Sequence, residues 1–125
     1  MNLRILTPTI HGLLDYMAAV GLIVFPFVLN LGTTAPLALW LSVIGGMALI
    51  AYSLMTDYTF GFAKVVPFKA HLALDLIAAV GFLAAPFVFG WSGLTAGYYF
   101  VMGVAVVLVV VLSAVDEAAV VPEGV

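Results

Sequence analysis

Charged side chains mark the parts of this chain that oil rejects, and they leave two long gaps. Residues 16–56 carry no Asp, Glu, Lys or Arg, and neither do residues 76–115. Each gap of about 40 residues holds two apolar stretches of about 20 residues, the length of a bilayer-crossing helix, with a short turn between them. Apolar residues cover these stretches all round. They do not alternate with polar ones in the manner of a barrel strand, so the pattern predicts helices. Four spans follow, near residues 10–30, 36–54, 70–90 and 95–115. The turns "NLGTTAP" and "GWSGLTAG" are short and rich in Gly, Thr and Ser, so each pair of spans closes as an antiparallel hairpin.

The hairpins resemble each other. "HGLLDYMAAVGLIVFPFV" begins at His11, and sixty residues later "HLALDLIAAVGFLAAPFV" begins at His71. Across residues 11–30 and 71–90, ten positions are identical. Repeat 1 covers about 8–57 and repeat 2 about 67–117. Each holds two spans, so both copies enter the membrane in the same orientation and are expected to share a pseudo-twofold axis along the membrane normal. The expected fold is all-α: one integral membrane domain over residues 1–125, a four-transmembrane-helix bundle made of two tandem two-helix repeats.

Composition sharpens the setting. The chain is 66% hydrophobic and 7% charged, where soluble domains carry about 25% charge. Hydrocarbon is therefore its main solvent. Arg4 precedes the first span, and Lys64 and Lys69 lie between the second and third, while the other two connections are uncharged. The positive-inside rule then puts both termini in the cytoplasm, and the expected location is the inner or cell membrane of a prokaryote. His11 and Asp15 interrupt the first apolar stretch and argue against a cleaved signal peptide. There is no cysteine, which excludes thiolate metal sites and cysteine nucleophiles. Trp40, Trp91, Tyr98 and Tyr99 are expected at the far interface, where amphipathic rings settle. Lipid is the expected partner, with self-association or a larger membrane complex open and nucleic acid not expected.

The repeated motif carries the chemistry. At about 100° per residue, His11, Leu14, Asp15, Ala18, Ala19 and Pro26 share one broad face, and so do their counterparts from His71 to Pro86. Identity retained on one face marks a packed interface, where small residues let helices approach. Gly45, Gly46, Ala48 and Gly103 suit the same purpose on the second and fourth spans. Pro26 and Pro86 each remove a backbone donor late in a span, so a kink or helix end is expected there.

His and Asp at i,i+4 are neighbours on a helix. Asp15 and Asp75 lie about one turn inside the membrane, where an ionised carboxylate needs a partner or water. Thr56, Asp57, Asp116 and Glu117 end the even-numbered spans on the same side and are candidates for one polar layer with His11, Asp15, His71 and Asp75. Four readings fit that layer. One is a hydrogen-bonded clamp that fixes register without a cofactor. A second is a divalent metal site of Zn, Mn or Fe, since His and carboxylate are its ordinary ligands. A third is haem with His11 and His71 as axial ligands. A fourth is a proton or ion route, which the apolar middle of the chain, with only Ser42, does not continue.

From Leu54 to Trp91, "LMTDYTFGFAKVVPFKAHLALDLIAAVGFLAAPFVFGW", the chain resembles the SPW-repeat integral membrane proteins, in which a tandem two-helix repeat carries Ser-Pro-Trp in the first helix of each pair. The prolines correspond to Pro26 and Pro86, flanked here as Phe-Pro-Phe and Ala-Pro-Phe. The resemblance implies four helices in two repeats and transfers no catalytic residue. The expectation is a structural or accessory membrane subunit without catalysis of its own, with metal or haem binding as the alternative.

Overall fold

The computed structural model describes residues 5–113. It holds four helices: α1 Pro8–Val28, α2 Pro36–Leu54, α3 Phe68–Phe89 and α4 Gly93–Leu112. Among the described residues there is no strand, only two isolated bridges. All four helices are long and apolar enough to cross a membrane, at 21, 19, 22 and 20 residues. This is the build of an integral, multi-pass membrane protein whose outward faces meet lipid: Val20, Ile44, Ile77 and Val101 are all more than half exposed.

The helix ends follow from local chemistry. The Thr7 hydroxyl accepts from the Ile10 amide at 3.2 Å and caps α1. Pro8 and Pro36 occupy first-turn positions, where a missing amide costs nothing. Gly90, at φ 70°, ends α3 in the left-handed region. Pro26 and Pro86 are buried inside the last turns of α1 and α3, which stop two and three residues later. Pro26 leaves the Leu22 carbonyl without its helical donor, and the Ser42 hydroxyl of α2 donates to that carbonyl at 2.8 Å instead.

Packing is tight within each hairpin. A Cβ at Gly46 would lie 2.8 Å from the Ala19 carbonyl oxygen. One at Gly103 would lie 2.8 Å from the Leu83 side chain and 3.2 Å from the Ala79 carbonyl oxygen. Glycine thus lets α2 and α4 press against the backbones of α1 and α3 at alanines sixty residues apart. Between hairpins the backbones approach each other far less.

The hairpins are joined at two depths. Near the short turns, Leu31, Ala38, Leu39, Val43 and Ala85 pack with Tyr98 and Tyr99. Tyr98 donates to Ser42 at 2.6 Å, and Tyr99 donates to the Ala38 carbonyl at 2.5 Å. These tyrosines lie toward the short-turn end, 7% and 1% exposed, with acceptors on α2 drawing both phenols inward. Trp40 remains 54% exposed. At the opposite depth lie the histidines, the aspartates and the 55–67 connection.

A candidate buried metal centre

α1 and α3 bring their motifs face to face. His11 and His71 are fully buried, and Asp15 and Asp75 are 5% and 4% exposed. His11 Nε2 lies 2.9 Å from Asp75 Oδ2 and 3.1 Å from Asp15 Oδ1. His71 Nε2 lies 2.9 Å from Asp15 Oδ2 and 3.3 Å from Asp75 Oδ2. For each histidine the shorter contact is to the other hairpin's aspartate. His11 and Asp75 are aligned as a directed hydrogen bond. His71 Nε2 stands off the line of one, so its contacts are electrostatic.

An outer ring holds these four side chains. His11 Nδ1 meets the Ser113 hydroxyl at 2.6 Å, and His71 Nδ1 meets the Thr56 hydroxyl at 2.7 Å. Each hydroxyl follows the end of an even-numbered helix. Tyr52 donates to Asp75 Oδ1 at 2.5 Å, and Tyr58 donates to Asp15 Oδ2 at 2.9 Å. Burial, then the charge of Asp15, pushes the Tyr58 phenol up and keeps it a donor. Phe68 completes the enclosure, edge-on to His11 with ring centroids 5.1 Å apart.

The hydroxyls settle the histidine tautomers. Ser113 donates to the Val109 carbonyl, and Thr56 donates to the Tyr52 carbonyl at 2.6 Å. Each hydroxyl has one proton and has committed it, so it accepts from the imidazole: both Nδ1 atoms carry hydrogen. A neutral imidazole would then aim a bare Nε2 lone pair at carboxylates about 3 Å away. Positive charge belongs between them, either as a proton on each Nε2 or as one cation shared by all four residues.

The backbone frames this centre. The 55–67 connection runs back across it, with the Asp57 amide donating to the Val66 carbonyl at 2.8 Å. The Leu6 amide donates to the Leu112 carbonyl at 2.9 Å, which ties the start of the described chain to the end of α4. Of the residues expected in the polar layer, His11, Asp15, His71, Asp75 and Thr56 come together. The Asp57 side chain is exposed and outside the group, because the chain turns there to pair its backbone with Val66. Asp116 and Glu117 lie outside the described residues. Sequence reasoning missed Tyr52, Tyr58 and Ser113. The signal for Ser113 was a hydroxyl closing the wholly apolar run that follows Tyr99.

One ligand atom from each of His11, Asp15, His71 and Asp75 lies within 4.8 Å of the other three. Two nitrogens and two carboxylate oxygens in that space match the ligand set of a tetrahedral zinc site. A bis-histidine haem does not fit, since the carboxylates fill the plane that a porphyrin needs. Comparison with family models, curated proteins and solved structures finds no match.

Proposed function

We propose that this protein holds a divalent first-row metal ion, zinc by its ligand set, inside the membrane. The observation that carries this reading is the convergence of four buried ligand-bearing side chains, with the second ring nitrogen of each histidine and the second oxygen of Asp75 turned outward to Ser113, Thr56 and Tyr52. Metal-bound histidines ordinarily donate their second ring N–H in this way, which aims the lone pair at the ion. Charge balances as well: two carboxylates offset one divalent cation. Bonds of about 2.0–2.1 Å in a tetrahedron put ligand atoms about 3.3 Å apart, so an ion would require the contacts of 2.9–3.3 Å to widen slightly and the wider separations, up to 4.8 Å, to close around it.

The second reading is a clamp in which two imidazolium–carboxylate pairs join the hairpins without metal. The directed hydrogen bond between His11 Nε2 and Asp75 Oδ2 at 2.9 Å favours it. Elemental analysis of protein purified in detergent without chelator decides between them. About one equivalent of metal per chain, lost in His71→Ala and Asp75→Ala, is the expected result. A folded preparation that takes up no zinc, manganese or iron when offered them leaves the clamp.

The finer placement belongs to the same proposal. Both termini face the cytoplasm in the cell membrane of a prokaryote, supported by Arg4, Lys64 and Lys69. The repeat pattern supports placing the chain among the SPW-repeat membrane proteins. The wide apolar outer faces suit an accessory subunit that associates with itself or with a larger membrane complex.

A further inference from the structure

Beside the metal centre, deeper in the membrane, a cavity of about 390 Å³ lies between the hairpins. Its walls come from all four helices and are almost wholly apolar, with Leu22, Leu49, Phe82 and Met102 among them. Cavities of 300–1,000 Å³ hold small molecules, and an apolar cavity of 150 Å³ already binds benzene. Exposed Met17 on α1 and exposed Ala105 on α4 also line it, so it opens sideways towards lipid. At one end stand Asp15, Tyr52 and Asp75.

Those three residues define what fits. The Tyr52 proton is committed to Asp75 Oδ1. The polar side-chain atoms at that end therefore offer lone pairs and no free hydrogen. A guest that reaches them must bring a donor. It must also be uncharged, because the carboxylates are already matched and a further buried cation would stand uncompensated. We propose that the cavity binds a membrane-soluble, hydroxyl-bearing apolar molecule, a long-chain alcohol or phenol. It enters from the lipid with its hydroxyl donating to the Asp75–Tyr52 group. This inference goes beyond metal binding and does not depend on it.

The test uses the full chain in phosphatidylcholine nanodiscs with two photoreactive probes: a long-chain alcohol bearing a diazirine on its chain, and the methyl ether of the same alcohol. A hydrogen bond to a charged acceptor is worth a tenfold preference or more, so the alcohol is expected to label the cavity walls about tenfold above the ether. Ala105→Phe plugs the lateral mouth at an exposed position. It is expected to abolish wall labelling while leaving metal content at the parent's value. Equal labelling by the two probes would mean only hydrocarbon filling and overturns the proposal. Labelling unchanged in Ala105→Phe overturns the entry route. The probe comparison is made on the unsubstituted chain and stands even if that variant does not fold.

Discussion

His11 and His71 are each gripped at both ring nitrogens, by a hydroxyl on one side and carboxylates on the other. Removing one member leaves charge buried without its partner. His11→Ala and Asp75→Ala should each cost about 3–5 kcal/mol, read as a lowered melting temperature in detergent. A double-mutant cycle on His11 and Asp75 should give a larger coupling than one on His11 and Asp15, since the contact between hairpins is the shorter. Tyr58→Phe takes one hydrogen bond from a buried carboxylate, and about 1–3 kcal/mol should go with it. A melting curve identical to the parent's would detach the 55–67 connection from the centre.

At the scale of helices, closeness is set by glycine. Gly46→Ala would drive a methyl to 2.8 Å from a backbone carbonyl that has nowhere to move, a cost of about 1–3 kcal/mol. Gly45→Ala next to it meets only the Phe82 ring at 3.7 Å and should be neutral or slightly stabilising. Thermal denaturation of the two variants side by side checks the contrast. The helices themselves were legible because charge is forbidden over about 20 residues at a time, and observed ends fall within three residues of those expected. The histidines and aspartates were legible because the same His-x-x-x-Asp spacing occurs twice, sixty positions apart, in stretches otherwise free of charge. What fed them was not. Tyr52 and Tyr58 stood out from nothing around them, since a phenol gives no sign of which carboxylate it will reach. Ser42 read as an isolated polar residue, although the proline at position 26 had already created the unpaired carbonyl that it serves.

For the molecule as a whole, the topology is open to a clean test because the chain has no cysteine of its own. Ser92→Cys, in the turn before α4, should react with a membrane-impermeant maleimide from outside the cell. Ala63→Cys, in the 55–67 connection, should react only after permeabilisation. The reverse pattern would invert the protein. The pairing of each histidine with the other hairpin's aspartate also bears on how the protein is made. A first hairpin that leaves the insertion machinery by itself carries His11 and Asp15 into oil with only each other for partners, and intramembrane polar groups of this kind are expensive. It gains full matching only when the second hairpin arrives. Release into the bilayer therefore favours the finished pair, and a chain truncated after α2 would leave an imidazole and a carboxylate matched only to each other.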